Sequence, residues 1–419
     1  MHRAVPGWTR AAIFAARADR QIRPATITLC SLLFASLALN RLGSKSLWLD
    51  EAVSVLVARL DGKALLAYVT TAEPNIGFYY LALHLWLALG DSESVIRGLS
   101  VLAAIGTMPI SYLLGERLFG RTMAATATVL LALNAFFVAY AQEARSYALV
   151  VLLVTAASYV FVRAVQDPLP GRWALYVTLA VVAVYMHLFA AFVLVAHAFS
   201  LFFLPRRDVP IRSAVAAYGA IGVLVLPLAW AVLHVGIGRI AWIDRPTLAG
   251  VVEAFSDLAG RGGRSLLAAY FVAGCLFLAA AIRIWRAAGT GTASWPFAFT
   301  LMWLFVPIVL SLAISMVQPV FLPSYLIVSL PSLVMVAAVG LRSAPRRWLQ
   351  VVLLLLIVLL AARGVVRWYA ADKEGWREAT ALVLADGQAG DGIAFFAPYV
   401  VQPFGYYAQR RVATLPRCK

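Results

Sequence analysis

Eleven apolar runs, each close to the thickness of a lipid bilayer, recur along this chain of 419 residues. A helix needs roughly 20 mainly apolar residues to cross the hydrocarbon core. Only 13% of the residues are charged, against about 25% in soluble domains. The sequence therefore predicts an all-α polytopic membrane protein, with spans at 24–41, 95–114, 122–140, 147–164, 173–188, 190–205, 213–234, 265–282, 295–317, 325–341 and 348–365.

The basic residues indicate how these spans are oriented. With the N-terminus inside, the cytoplasmic segments hold 17 of the 35 basic residues and only 4 of the 19 acidic ones. This bias follows the positive-inside rule. The net charge of +16 is spread between apolar runs rather than concentrated in one patch, which argues against a nucleic-acid partner. We expect a plasma-membrane protein of many spans, with a cytoplasmic N-terminus and an extracytoplasmic C-terminus.

Two stretches between or after the spans need separate interpretation. The apolar stretch 75–90 is too short to span, so we read it as an interfacial helix within a long first outer loop, residues 42–94. Residues 366–419 are more polar, with a helix pattern at 373–386 and a strand-like GIAFFAPY at 392–399. We predict a transmembrane bundle over 1–365 and a small extracytoplasmic α/β appendage over 366–419.

Two adjacent acids, Asp50 and Glu51, follow the first span. Acids at a membrane edge are costly to hold there and are functional candidates. Desolvation or the neighbouring acid would raise the pKa of one of them toward the range of a general base. A divalent cation bound by the pair is a second option. The alternative is a solvated loop in which Asp50 only caps the helix that follows.

A second polar cluster, residues 140–147, lies between the third and fourth spans, on the same predicted side as Asp50. Arg145 could bind a phosphate there, while Glu143 and Gln142 orient hydroxyl groups. The alternative is a Glu143–Arg145 pair that fixes a turn, with Tyr140 and Tyr147 as interfacial aromatic residues. Further polar side chains predicted at the outer ends of spans include Arg97, His187 and Tyr325.

These motifs together resemble a known family. WLDEA at 48–52, EPNIGFYYLALHLW at 73–86, AYAQEARSYAL at 139–149 and PVFLPSYLIVSLP at 319–331 are similar to integral-membrane glycosyltransferases of the GT-C fold. The resemblance is to the branch related to dolichyl-phosphate-mannose protein mannosyltransferases and the bacterial lipid A aminoarabinose transferase. It implies transfer of a sugar from a polyprenyl-phosphate donor, usually with inversion, to a glycan, glycolipid or protein acceptor outside the cell.

The resemblance also implies residue roles. Asp50 would be the general base and Glu51 its support. The donor site would be lined by Arg97, Glu143, Arg145 and Tyr325. Candidate substrate contacts are Glu73, Asn75, Tyr140, Gln142, Tyr147, His187 and Lys373. Two positions depart from the family pattern: Ser324 replaces an Arg, so Arg97, Arg145 or Lys373 would supply the phosphate contact, and Glu73-Pro74-Asn75 replaces His-Pro-Pro.

Two other functions fit the apolar architecture. A transporter or flippase for a lipid or small anion would also have many spans, but it predicts broken helices and polar residues near the membrane midplane. A non-catalytic subunit of a cell-envelope complex would keep the fold with a degenerate site, which the Ser324 replacement allows. Replacement of Asp50 by Asn separates the transferase from both.

Overall fold

The computed structural model describes residues 8–236, 242–388 and 391–414. Their regular secondary structure is helical, as expected where lipid offers the backbone no hydrogen-bond partner. The helices are α1 (Trp8–Leu39), α2 (Leu49–Ala58), α3 (Gly62–Thr71), α4 (Gly77–Trp86), α5 (Glu93–Phe119), α6 (Arg121–Ala132), α7 (Ala135–Ala141), α8 (Tyr147–Gln166), α9 (Pro170–Met186), α10 (Ala190–Ser200), α11 (Ile211–Val235), α12 (Leu248–Leu258), α13 (Arg264–Ala288), α14 (Trp295–Ser315), α15 (Leu330–Arg342), α16 (Arg347–Ala370), α17 (Trp376–Asp386) and α18 (Val401–Thr414).

The predicted spans match helices of the structure. Among the described residues, seven helices are long and apolar enough to cross a bilayer: α5, α8, α11, α13, α14, α16 and the helical stretch Tyr325–Arg342 that includes α15. The pair α6 and α7 passes the same test together but bends by 60°. Three shorter apolar helices, at Arg23–Leu39, Pro170–Met186 and Ala190–Phe203, account for the remaining predicted runs. The chain is therefore a multi-pass membrane protein.

Helix breaks occur where side chains replace backbone partners. At the bend between α6 and α7, the Asn134 side chain accepts the Phe137 N–H at 2.9 Å and donates to the Leu258 carbonyl oxygen at 2.9 Å. Between α9 and α10, His187 Nδ1 accepts the Phe189 N–H at 3.3 Å. The division of the long apolar run at His187 is thus confirmed.

The first loop carries three short helices, α2, α3 and α4, as predicted. Helix α4 has 10 residues, or about 15 Å, against the roughly 30 Å of a hydrocarbon core. Leu81 and Leu85, four residues apart on its exposed side, and Leu89 in the 3-10 turn that follows suit a segment that lies along an interface.

The C-terminal segment corrects one prediction. Its first helix, α17, lies where the sequence pattern placed it, but residues 391–397 form no strand, and no strand occurs elsewhere in the described part of the chain. A single strand has no neighbour with which to form a ladder, so the α/β expectation is wrong and the segment is helical. Helices α17 and α18 pack on each other, and α18 packs on α2. The boundary at 365/366 stays a prediction.

Burial distinguishes the centre of the bundle from its periphery. Within Tyr325–Arg342 and α8, 89% and 72% of the most apolar window is buried, against 22% in α11 and α16. Helices α5, α8 and the Tyr325 stretch begin at the same end of the molecule, beneath the first loop. The polar residues described next lie at that end.

Candidate active site

The two adjacent acids at the start of α2 have different surroundings. Successive helical residues point about 100° apart, so one of the two acids can be buried in the protein while the other stays partly exposed. The Glu51 side chain is fully buried, whereas the Asp50 side chain is 37% exposed. The nearest cation to Asp50 is Arg145, whose Nη2 lies 3.5 Å from Asp50 Oδ2.

Glu51 is bound by Arg97 in a bidentate ion pair. Nε and Nη2 of Arg97 donate to the two Glu51 oxygens, each at 2.8 Å. The remaining Arg97 N–H groups donate to the carbonyl oxygens of Leu42, Lys45 and Ser46 at 2.8 to 3.0 Å. An arginine has five N–H donors, so all of them are used. Arg97 therefore fixes the backbone of the first loop and has no donor left for a phosphate.

Two further groups neutralise Glu51. The Ala144 N–H donates to Oε1 at 2.9 Å, and Lys373 Nζ lies 3.6 Å from Oε2. Burial alone would raise the pKa of Glu51, but Arg97 and Lys373 outweigh it and lower the pKa to about 2. This is opposite to the shift expected from a neighbouring acid. Glu51 links the first loop, α5, the α7–α8 turn and the C-terminal segment.

The turn between α7 and α8 brings Glu143 and Arg145 to the same place. Glu143 Oε1 accepts from Lys373 Nζ at 3.2 Å, while Glu143 Oε2 is buried and has no hydrogen-bond partner in the described structure. Burial raises the pKa of Glu143, an effect that Lys373 partly offsets and the Glu51 charge reinforces. Arg145 Nε is also buried without a hydrogen-bond partner in the same set of residues. Buried polar atoms of this kind are usually completed by water, an ion or a ligand.

The Gln142 side chain is fully used in hydrogen bonds that join helices. Its Nε2 donates to the carbonyl oxygens of Ala38 and Asn40, at 3.0 and 2.8 Å. Its Oε1 accepts from Trp368 Nε1 at 2.8 Å. The side chain thus ties the end of α1 to α16.

Aromatic rings pack beside the Arg145 guanidinium. The Tyr140 and Tyr147 ring centroids are 4.6 Å apart, Tyr147 lies 5.7 Å from His187, and His187 lies 5.0 Å from Tyr325. The Ser324 hydroxyl is within hydrogen-bonding reach of both Tyr140 and Tyr147.

A third acid, Glu73, lies on the first loop near Arg145. It accepts a short hydrogen bond from the Tyr80 hydroxyl and another from the Tyr68 hydroxyl at 3.4 Å. Burial alone would lower the pKa of Arg145, but Asp50 and, more weakly, Glu73 hold it well above its usual value. Asn75 follows in the 3-10 turn Pro74–Ile76 and is half-buried.

The structure adds Arg261, which the sequence motifs did not indicate. It lies in a Gly260-Arg261-Gly262-Gly263 turn between α12 and α13, with φ of 56°. Its guanidinium lies 5.0 Å from the Phe136 ring centroid, 6.0 Å from Tyr140 and 5.9 Å from Trp368, and pairs with Asp257 at 3.3 Å. The sequence feature that could have indicated Arg261 is an arginine flanked by glycines in a loop predicted to lie on the outer side.

A groove runs from this turn along α13. It is formed by α12, α13, α14 and α15 and has a volume of about 590 Å³. Its lining is almost wholly apolar. Two of its lining residues, Ala259 and Arg264, are two and three residues from Arg261 in the sequence. Residues that define it include Phe255, Tyr270, Gly274, Cys275, Phe305 and Val336. The groove would suit a hydrocarbon chain whose charged end lies near Arg261.

A metal site at Asp50 and Glu51 receives no support from the geometry. Both Glu51 oxygens are bound by Arg97, so the two acids do not converge on one point. Among the described residues, no group of three or more His, Cys, Asp or Glu side chains could hold a metal ion.

Part of the chain matches a known protein-family model. Residues 72–233 match the family model described as dolichyl-phosphate-mannose-protein mannosyltransferase. No curated protein sequence matches the chain.

Solved structures share its fold at low sequence identity. The oligosaccharyltransferase of Archaeoglobus fulgidus, tethered to an acceptor peptide, has a TM-score of 0.54 at 12% identity over 88% of this chain. The chain spans only 58% of that protein's length. The oligosaccharyltransferase AglB from Archaeoglobus fulgidus, in complex with an inhibitory peptide and a dolichol-phosphate, has a TM-score of 0.56 at 10% identity, covering 93% of this chain and 64% of AglB.

ArnT from Cupriavidus metallidurans, bound to undecaprenyl phosphate, is also similar. Its TM-score is 0.53 at 15% identity, covering 91% of this chain and 74% of ArnT. Identity this low establishes the fold and leaves the activity to be argued from the site. The chain has the fold of the GT-C glycosyltransferases.

Proposed function

We propose that this protein transfers a sugar from a polyprenyl-phosphate donor to an acceptor hydroxyl on the extracytoplasmic face of the membrane, with Asp50 as general base. The observation that carries the proposal is the contrast within the first turn of α2. Glu51 is buried and neutralised by Arg97, whereas Asp50 is partly exposed and pairs with Arg145. Asp50 is thus the acid of the pair that can accept a proton from a substrate.

The chemistry needs a base on the acceptor side and positive charge on the leaving-group side. Asp50 would take the proton of the acceptor hydroxyl as its oxygen attacks the anomeric carbon of the sugar. A positioned general base of this kind contributes about 10²- to 10⁴-fold to a rate. The bond from the sugar to the lipid phosphate then breaks, and the phosphate leaves with the bonding electron pair. Attack from the side opposite the phosphate inverts the anomeric carbon.

We assign the donor phosphate to Arg261, with Arg145 as its neighbour across the Tyr140–Tyr147 ring pair. Arg97 is excluded from this role because its five donors are used within the protein. Arg261 makes one ion pair and lies beside Tyr140. Ser324 stands near the same tyrosine at the position where the family pattern has an arginine. Arg261 would supply the positive charge that this position lacks. Arginine suits a phosphate because its N–H groups can donate in pairs.

The apolar groove supports a lipid-linked donor rather than a soluble nucleotide sugar. It lies beside the Arg261 turn and could hold the first part of an isoprenoid chain while the phosphate contacts Arg261. The similar ArnT and AglB structures contain undecaprenyl phosphate and a dolichol-phosphate respectively. Glu73, His187, Tyr325, Asn75 and Glu143 lie around this site and would contact the sugar or the acceptor.

The test is a transfer assay with purified protein in lipid nanodiscs. Polyprenyl-phosphate mannose and polyprenyl-phosphate arabinose, each radiolabelled in the sugar, are supplied together with a membrane extract as acceptor source. Wild-type protein should release free polyprenyl phosphate and label an acceptor. Asp50→Asn should lose transfer about 10²- to 10⁴-fold, because the amide cannot accept the proton, while thermal stability is retained.

A matched control removes another acid from the predicted outer side. Asp386, at the end of α17, is exposed. Asp386→Asn should transfer at the wild-type rate. Wild-type turnover by Asp50→Asn would remove Asp50 from its role, and absence of transfer by the wild-type protein with both donors would argue for the transporter or subunit alternatives.

A further inference from the structure

The loop that carries Asp50 is held from two sides. Residues 40–48 connect α1 to α2 without forming a helix or strand. From the bundle side, Arg97 donates to three carbonyl oxygens of this loop, those of Leu42, Lys45 and Ser46. The opposite side of the loop is held by the C-terminal segment, which the sequence predicts to be an appendage.

Three residues of the C-terminal segment contact the loop. The Leu47 N–H donates to the Tyr407 hydroxyl at 2.7 Å, and both residues are buried. The Ser46 hydroxyl donates to Glu378 Oε2 at 3.1 Å and accepts the Arg377 N–H at 3.2 Å. Arg377 Nη2 also donates to the Gly43 carbonyl oxygen at 3.1 Å. The contacts of Arg97 and those of the C-terminal segment thus alternate along one short stretch of backbone.

We propose that Tyr407 is a positioning residue for the transfer reaction: by accepting the Leu47 N–H, it fixes the entry into α2 and hence the direction of the Asp50 carboxylate. This inference rests on the proposed function, because it assumes that Asp50 is the base. The connection is short, since Leu47 precedes Asp50 by three residues and α2 begins at Leu49. Without the hydroxyl, the buried Leu47 N–H has no acceptor, and the loop must shift to find one.

The first experiment compares Tyr407→Phe with wild-type protein in the transfer assay. A small misplacement of a catalytic group can cost about 100-fold in rate, so we expect kcat to fall about 10- to 100-fold. The KM for the lipid donor should stay within about twofold, because Arg261 and the apolar groove lie on α12 to α15, away from Tyr407. A role limited to stability would instead lower the melting temperature and the yield without changing kcat per folded molecule.

Tyr406 provides the matched control on the same helix. Its hydroxyl donates to the Asp91 carbonyl oxygen at 3.1 Å, so it fastens α18 to the start of α5 rather than to the 40–48 loop. Tyr406→Phe should retain kcat within about twofold. An equal loss in both variants would show a general docking effect and overturn the positioning role, as would wild-type kcat in Tyr407→Phe.

A second variant keeps the inference testable if Tyr407→Phe does not fold. Ser46→Ala removes the two hydrogen bonds that the Ser46 hydroxyl makes with Glu378 and Arg377, and it changes no residue of the C-terminal segment. It should lower kcat several-fold with an unchanged donor KM, and wild-type kcat would again overturn the proposal. Loss of transfer in Asp50→Asn, together with wild-type kcat in Tyr407→Phe and Ser46→Ala, would reject the positioning role while the proposed function stands. A wild-type protein inactive with both donors would reject both.

Discussion

Two buried polar clusters in this molecule differ in how completely they are hydrogen-bonded. In the cluster around His197, its two ring nitrogens contact the Ser158 hydroxyl at 2.9 Å and the Tyr176 hydroxyl at 3.1 Å. Tyr176 contacts the Tyr218 hydroxyl at 3.1 Å, which in turn donates to the Leu194 carbonyl oxygen at 2.9 Å. Every polar side chain of this cluster has a partner.

The candidate active site contains charges and unsatisfied atoms instead. Within the described residues, Trp48 Nε1, Tyr79 Oη, Glu143 Oε2 and Arg145 Nε are buried there without a hydrogen-bond partner. A buried polar atom left unpaired costs roughly 1–3 kcal/mol, so the outer cluster carries a cost that the His197 cluster does not. The His197 cluster joins helices α8 to α11, whereas the unpaired atoms of the outer cluster fit the substrate site proposed above.

The largest effect should come from the satisfied part of the outer cluster. Glu51→Ala leaves the buried Arg97 without its carboxylate, which costs roughly 3–5 kcal/mol of folding free energy. Little folded protein should be recovered, as measured by size-exclusion yield and thermal unfolding in detergent. Asp50→Ala, at the exposed neighbour, should unfold near the wild-type temperature. Equal stability of the two variants would contradict the different roles of the two acids.

The same ion pair predicts an acid limit to stability. The pKa of Glu51 is lowered from 4.5 to about 2 on folding. A group with a lowered folded-state pKa contributes stability above its unfolded value, and that contribution is lost as pH falls through the folded value. The melting temperature of wild-type protein should therefore decline between about pH 4.5 and pH 2. A melting temperature unchanged over this window would contradict the assignment.

Removal of the Arg261 guanidinium should cost about 100-fold in kcat/KM for the lipid donor, since a charge-assisted phosphate contact contributes about 1.5–3 kcal/mol. Arg261→Gly is the suitable variant because glycine adopts the positive φ of this position without strain. Arg245→Ala, at an exposed position before α12, is the control and should behave as wild type. Unchanged kinetics in Arg261→Gly would move the phosphate elsewhere.

Blocking the groove should raise the donor KM about tenfold, equivalent to roughly 1.4 kcal/mol of binding. A side chain at Gly274 would project into open space, so Gly274→Phe fills the groove without displacing backbone. Gly219, on α11, also has open space where a Cβ would lie and is outside the groove lining, so Gly219→Phe is the matched control. Equal KM values for the two variants would remove the groove from donor binding.

The smallest effect is expected in the His197 cluster. His197→Phe removes hydrogen bonds to Ser158 and Tyr176, and such bonds between membrane helices contribute about 0.6 kcal/mol on average. Thermal stability should fall by a few degrees while kcat per folded molecule is unchanged. A selective loss of transfer without loss of stability would give this cluster a part in catalysis and break the comparison.

Sequence alone predicted the spans well, because bilayer thickness fixes the length of an apolar run whatever packs beside it. It also predicted that Asp50 and Arg145 lie on the same side of the membrane, because counting the spans from the N-terminus places both loops on that side. It could not show that Arg97 and Gln142 donate to backbone carbonyl oxygens, because backbone acceptors leave no trace in side-chain patterns. Arg261 was missed for a related reason: its approach to Tyr140 depends on how α12 and α13 pack.

The proposed mechanism requires one site in which Asp50 faces the acceptor hydroxyl and Arg261 binds the lipid phosphate. The most direct measurement is a cryo-electron microscopy map of the wild-type protein with polyprenyl phosphate bound. We predict a phosphate within hydrogen-bonding distance of Arg261, an isoprenoid chain between α13 and α14, and an intact Arg97–Glu51 pair. A phosphate bound instead to Arg97, with Glu51 displaced, would contradict it.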